Sequence, residues 1–495
     1  MRRPSAAVTA LWALTLALLL AGALASAAGA TDAVAPPVPS ALHTGPDAQL
    51  GAIGQSLDTS LADRARSLLG LLLLAGVAWG FSTNRARIDW RLVGWGIGLQ
   101  IAFAVFILKT PLGAQIFSSV NEVVVALLGF TVDGARFIFG DLVFNSVPVG
   151  EGVAGTNAPV AVEPGRVAQT GAFFAFNVLP TIIFFSSLMT VMYHLGVMQR
   201  IVKGFAWVMQ RTMHTSGAET LSAAGNIFVG QTEAPLLIKP FVATMTRSEL
   251  MAVMTGGFAT VAGGVLAAYV GMLVAFFPDI AGHLMAASVM SAPAALVCAK
   301  LLVPEEEVPV TAGRLEVSVE RPDANVIDAA ARGASEGLGL ALNVGAMLLA
   351  FIALIQLFNA LLGWSGGLIG LEGVTLEGML GMALAPVAWL MGVPWQDAAV
   401  VGELMGLKTV LNEFVAYLQL STILSGETGL EPRSIIIATY ALSGFANFSS
   451  IAIQIGGIGG IAPERRSDLS RLGLRAMVGG SIAAFMTATV AGMLV

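Results

Sequence analysis

Gln231, Thr232 and Glu233 stand side by side in GNIFVGQTEAPLLIKPF (225–241), between two short apolar flanks. A second polar group, Asn412 and Glu413, interrupts VVGELMGLKTVLNEFVAYLQL (400–420), and a third, Asn447 and Ser450, lies in SGFANFSS (443–450). An amide donates and accepts at once, so Gln231 can match the edge of a flat heterocycle; a carboxylate accepts two bonds, which suits a pair of sugar hydroxyls. Phe445, beside Asn447, offers a ring for stacking, or core packing. Each acid at a bilayer centre costs about 2.5–3.5 kcal/mol on insertion scales. Two acids in matched settings therefore ask for a reason. Salt bridges to Lys239 and Lys408, close by in sequence, are the structural alternative to a binding site.

The setting is a membrane. The 495 residues are 56% hydrophobic and 11% charged, with mean hydropathy +0.81. Soluble domains carry about 25% charged residues. Long apolar runs without alternation predict helices rather than a barrel. A net charge of −6 with scattered acids gives no basic face for nucleic acid. The single cysteine, Cys298, excludes an intrachain disulfide framework and any multi-cysteine metal site. His43, His194, His214 and His283 are isolated and no HExxH occurs, which leaves an enzyme reading without its machinery.

Each flank of the 225–241 stretch is about ten residues, too short to cross where about 20 helical residues are needed. Gly230 and Pro235 interrupt it. A re-entrant hairpin with Gln231–Glu233 at its tip follows, with a short aqueous loop as the plainer alternative. Non-helical backbone survives at that depth only beside protein or a wet cavity.

The rest of the chain is arranged around this hairpin. Residues 1–30 have the layout of a signal peptide: Arg2 and Arg3, an apolar core, then ASAAGA; an uncleaved first helix is the alternative. Residues 31–62 read as an exported linker and 63–215 as an N-terminal membrane region. That region holds spans at 67–81, 92–110 and 173–195, an interfacial helix at 113–140 and an external loop at 145–168. Residues 216–303 form the first hairpin, a span broken at GGFATVAGG (256–264) and a further span at 281–303. A charged cytoplasmic connector (304–337) includes Arg314, Arg321, Asp323 and Arg332. Residues 338–395 give a scaffold span and an interfacial or half-inserted segment at 376–393. Residues 396–495 give the second hairpin, a span broken at 443–450 and a last helix. The fold expected is thus an all-α polytopic membrane protein of about eight transmembrane helices with two re-entrant hairpins and interfacial helices. Arg85, Arg87 and Arg91 mark a cytoplasmic loop, which puts the mature N-terminus outside; the arginines of ERRSDLSRLGLR (464–475) put the C-terminus outside too.

Hairpin tip followed by broken helix occurs twice: 28 residues separate Thr232 from Thr260 and 34 separate Glu413 from Asn447, by subtraction. Three crossings lie between the hairpins, so the units face opposite ways. Inverted repeats, broken helices and a midplane site mark secondary transporters. At the first break Asn226 and Thr260 can offer side-chain oxygens, and unwound Val229 and Val261 carbonyls, to a sodium ion; helix capping by Asn and Thr is the alternative. A twin-hairpin carboxylate or amino-acid carrier would want a basic tip, and both tips here are acidic. A passive channel fits closed hairpins poorly.

Four stretches in order, GNIFVGQTEAPLLIKPF, GGFATVAGGVLAAYV, PWQDAAVVGELMGLKTVLNEFVAYLQL and SGFANFSSIAIQIGGIG, resemble the concentrative nucleoside transporter family, as does the connector PDANVIDAAARGASEGLGLALNVGAMLLAFIAL. The likeness runs from about residue 64 to the C-terminus. It implies sodium-driven nucleoside uptake by an elevator-like shift, and a homotrimer in the inner membrane; some members couple to protons instead. By position, Gln231, Thr232 and Glu233 look like nucleobase contacts and Val265 like an apolar contact under the base. Glu413, Asn447 and Ser450, with Phe445 alongside, look like the ribose set. Asn226, Val229, Thr260 and Val261 look like the ligands of Na+.

Overall fold

Helix after helix is started by a polar side chain that caps it. The computed structural model describes residues 59–144, 146–151, 161–169, 174–313, 323–368, 370, 373–426 and 429–495. The signal-peptide layout, most of the linker, and Arg314 and Arg321 of the connector lie outside the described residues. Ser60 caps α1 (Leu61–Gly80) through the Asp63 N–H, and Asp89 caps α2 (Trp90–Lys109) through Arg91 and Leu92. Thr110, with Pro111 at the first turn, starts α3 (Pro111–Phe139).

Three expectations gain detail in this first half. The span expected from Ser67 begins at Leu61. The stretch expected to be interfacial is one 29-residue helix, and with its following turn it is apolar and long enough to cross. The loop expected at 145–168 contains two antiparallel strands, Ser146–Glu151 and Ala161–Gln169, so the fold is not wholly helical. Val147 and Val149 supply β-branched residues that favour this pairing.

Then follow α4 (Leu179–His194), α5 (Val197–Met213), α6 (Gly217–Gly225), the short α7 (Lys239–Val242), α8 (Arg247–Ala259), α9 (Gly263–Leu273) and α10 (Ile280–Leu302). The next helix, α11 (Val326–Gly367), is 42 residues long. It starts a dozen residues inside the expected connector, because Asn325 accepts from the Ile327 and Asp328 N–H groups and nucleates it there. The half-inserted segment expected at 376–393 is α12 (Leu376–Met391), which turns by 116° into α13 (Trp395–Val410). The chain closes with α14 (Glu413–Leu424), α15 (Pro432–Leu442), α16 (Phe448–Ile461) and α17 (Arg466–Leu494). Among the described residues seven helices are long and apolar enough to cross a membrane, eight if the bent pair counts as one span.

Burial divides these helices. The apolar windows of α8 with α9, of α10 and of α17 are 78–94% buried, whereas those of α3, α4 and α11 are 17–22% buried. The core therefore lies around α8, α10 and α17, and α11 runs along α4 at its edge. Two units carry the repeat: α6 to α9 and α13 to α16, each a hairpin followed by a helix that breaks. The breaks touch. Gly444 has φ +120°, and a Cβ there would stand 2.8 Å from the Phe258 carbonyl oxygen and 2.9 Å from that of Ala259. Only glycine tolerates both that backbone and that approach.

Candidate binding site between the repeats

Two asparagines aim the second unit at the cavity. Asn412 starts α14 by accepting from the Val415 N–H at 2.9 Å, and Asn447 starts α16 by accepting from the Ser450 N–H at 2.9 Å. Each cap fixes the first turn after a break, and Glu413 and Ser450 stand in those turns. Glu413 is 4% exposed, with both carboxylate oxygens engaged: Oε1 accepts from the Tyr269 hydroxyl at 2.7 Å and Oε2 from Asn447 Nδ2 at 3.1 Å. The Tyr269 ring is stacked on Tyr417 at 4.4 Å and meets Phe414 edge-on at 5.2 Å, so aromatic packing holds its hydroxyl in place.

The salt-bridge alternative fails here. Lys408 Nζ donates to the Ala441 carbonyl at 2.9 Å and the Ser443 carbonyl at 3.5 Å. Among the described residues neither Glu413 nor Glu233 forms an ion pair. Lys408 instead satisfies carbonyls freed at the end of α15, where the helix breaks.

The first tip leans on the opposite unit. Gln231 Nε2 donates to Ser450 Oγ at 3.2 Å, and Gln231 Oε1 accepts from Gln454 Nε2 at 2.9 Å. Thr232 lies against Gly457 of α16. Glu233 faces open space, and its carboxylate accepts one bond, from the Gly230 N–H at 3.4 Å. All eight residues expected to meet substrate line one cavity of about 150 Å³: Gln231, Thr232, Glu233, Val265, Glu413, Phe445, Asn447 and Ser450. Leu340, Val344 and Met347 of α11 close one side. A second cavity of about 530 Å³ shares Thr232, Glu233 and Val265 with it. That space runs out to Asp323, Arg332 and Glu336, where Arg332 grips Asp323 with two bonds of 2.6 and 2.9 Å. Ligand pockets usually hold about 300–1,000 Å³; the larger space falls within that range and the smaller one adjoins it through the shared residues.

The four residues expected to hold sodium gather at the end of α6 and the break after α8. Asn226 is fully buried, and neither its Oδ1 nor its Nδ2 has a hydrogen-bond partner. Thr260 Oγ1 donates back to the Gly256 carbonyl at 2.9 Å, which leaves its lone pairs unused. Val229 and Val261 lie outside helices, and their carbonyls accept no hydrogen bond among the described residues. Helix capping thus does not explain Asn226. A buried amide left without partners costs about 1–3 kcal/mol, and oxygen donors of this kind suit a hard monovalent cation.

Residues 283–492 match the family described as "Na+ dependent nucleoside transporter C-terminus", residues 69–142 its N-terminus, and residues 175–276 "Nucleoside recognition". An "Uncharacterized transporter" of Haemophilus influenzae is 42% identical over 432 residues, covering 87% of this chain and 97% of that protein. The chain belongs to the Na+-dependent nucleoside transporter family. The mouse "Sodium/nucleoside cotransporter 1" is 40% identical over 453 residues; the match covers 89% of this chain and 65% of that longer relative. A solved structure of CNTnw in an inward-facing substrate-bound state matches with TM-score 0.77 and 41% identity, over 87% of this chain and 98% of that one. A CNTnw variant in an outward-facing state matches with TM-score 0.78 and 41% identity, over 88% and 98%.

Two further members of the site, Tyr269 and Gln454, lie inside the family stretches GGFATVAGGVLAAYV and SGFANFSSIAIQIGGIG but are not among the residues expected to meet substrate. Tyr269 is one of four tyrosines in the chain and sits in an apolar helix, where a buried hydroxyl needs a partner. Gln454 follows Asn447 and Ser450 at helical spacing on one face of α16. Both signals were present: a lone polar group in an apolar run, and a polar stripe of period near four.

Proposed function

We infer that this chain is a secondary active symporter that imports nucleosides, driven by a sodium gradient, by an elevator-like alternation of access. The observation that carries the reading is the meeting of both hairpin tips, Gln231–Glu233 and Glu413, with the polar break at Asn447 in one cavity. Glu413, Asn447 and Ser450 bind the ribose hydroxyls, with Phe445 alongside. Gln231, Thr232 and Glu233 bind the base, over Val265. Asn226, Thr260 and the carbonyls of Val229 and Val261 hold Na+; the ion supplies its charge and its gradient as driving force. One cation moving through 100 mV provides about 2.3 kcal/mol, and a tenfold concentration gradient about 1.4 kcal/mol. A nucleoside is neutral, so the ion's charge is the one moved, and accumulation of several hundredfold follows.

Units 216–303 and 396–495 carry the cargo, and the outer helices of 63–215 and 338–395 frame them. The exposed apolar faces of α3 and α11 suit lipid and neighbouring copies in a homotrimer. The protein sits in the inner membrane with both termini outside; the arginine-rich loops support this orientation with α3 lying at the interface rather than crossing. Uptake of labelled uridine into vesicles, with sodium and pH gradients imposed separately, tests the whole reading. Uptake driven by sodium alone is expected. Uptake driven only by a pH gradient would replace the ion, and chemically altered uridine would replace the carrier with an enzyme.

A further inference from the structure

Gln454 lies on α16 one turn beyond Ser450 and is fully buried. Its Nε2 donates twice, to the Met254 carbonyl at 3.1 Å and to Gln231 Oε1 at 2.9 Å. A backbone carbonyl can only accept, so the end of the Gln454 amide that meets Met254 must be the NH2 group. Its other proton then points at Gln231, which must answer with oxygen. A side-chain amide has one oxygen and one NH2. The Gln231 nitrogen is therefore turned the opposite way, to Ser450 Oγ at 3.2 Å and to the cavity that both residues line. Gln454 Oε1 has no hydrogen-bond partner among the described residues, so no donor there pulls this relay into the reverse order.

We propose that Gln454 is a positioning residue that locks the Gln231 amide with its donor toward the substrate, so that the site selects bases presenting a carbonyl oxygen there, uracil-like or 6-oxopurine, over their amino counterparts. The inference rests on the nucleoside reading of the cavity. A donor set against an amino group leaves both unsatisfied, and sites built on such a hydrogen bond reject the mismatched analogue strongly.

The test uses the full-length protein in vesicles under a sodium gradient, with two substrate pairs: uridine against cytidine, and inosine against adenosine. In the unmodified protein the KM of each amino member should exceed that of its oxo partner by about tenfold or more. In Gln454→Leu the Gln231 amide can rotate, and each ratio should fall to within about threefold, with kcat changing little. A residue that merely packs would change all four substrates alike. Equal KM values within both pairs in the unmodified protein overturn the proposal, as do ratios unmoved by Gln454→Leu. Should that variant fail to insert, Gly257→Ala serves, since its Cβ would stand 2.8 Å from both Gln231 Cβ and Gln454 Nε2 and part the two amides. Loss of uptake for all four nucleosides in the unmodified protein would instead sink the transporter reading, a result distinct from a change in their ranking.

Discussion

Glu413, at the second hairpin tip, has one carboxylate oxygen on Tyr269 and the other on Asn447, whereas Glu233, at the first, receives among the described residues one bond of 3.4 Å, from its own turn. The two acids hold corresponding places in the two units, yet one is fixed before any ligand arrives and the other is not. Asparagine caps make the difference. Asn412 and Asn447 pin the tip and the break of the second unit, while Ala262, which starts α9 after the break of the first, has no side-chain oxygen to cap with. The side chain of Gln231 in the first tip is steadied from across, by Ser450 and Gln454. One carboxylate is thus held by two partners and the other is left loosely held.

Four substitutions break or sharpen that contrast. Glu413→Gln should reduce uridine uptake by about a hundredfold, near the ~3 kcal/mol upper end for a charged hydrogen bond, with membrane insertion intact by surface labelling. Normal uptake by this variant would remove Glu413 from the site. Asn226→Leu should raise the sodium concentration for half-maximal uptake by about tenfold. Thermal stability in sodium-free buffer should not fall, because the amide has no protein partner to lose. A clear drop in that melting temperature would make Asn226 a structural group. Tyr269→Phe keeps the ring stack on Tyr417 and removes only the hydroxyl, so KM for uridine should rise about five- to tenfold, ~1–1.5 kcal/mol. Glu233→Gln should change KM by no more than about threefold. If it were the more damaging of these last two, the ranking of the tips would be reversed.

Much of the site was legible because polar groups inside apolar runs stand out. The triplet Gln231–Glu233, the pair Asn412–Glu413 and the break at Asn447–Ser450 all announce themselves that way, and all line the cavity. Partners were harder to read than positions. Lys408, five residues before Glu413, looks like its counter-ion, yet it serves carbonyls at the end of α15. Tyr269 holds Glu413 from 144 residues away in the other unit, a pairing that only the crossing of the units creates. The start of α11 was misplaced for another reason. Asp328, Arg332 and Glu336 look like a solvated connector, but their spacing of four is helical and Asn325 before them is a cap. The strands at 146–169 were hidden by Pro148 and Pro164, which speak against sheet unless it is a short edge pair.

Gly444 leaves no gap between the two breaks: its α-carbon rests against the Phe258 and Ala259 carbonyls, with no room for even a methyl group. A passenger gripped there has no seam through which to be handed from one unit to the other. Were the two units to move as one body, as the elevator reading has it, the sliding boundary would lie outside them, along the face that Leu340, Val344 and Met347 present to the cavity.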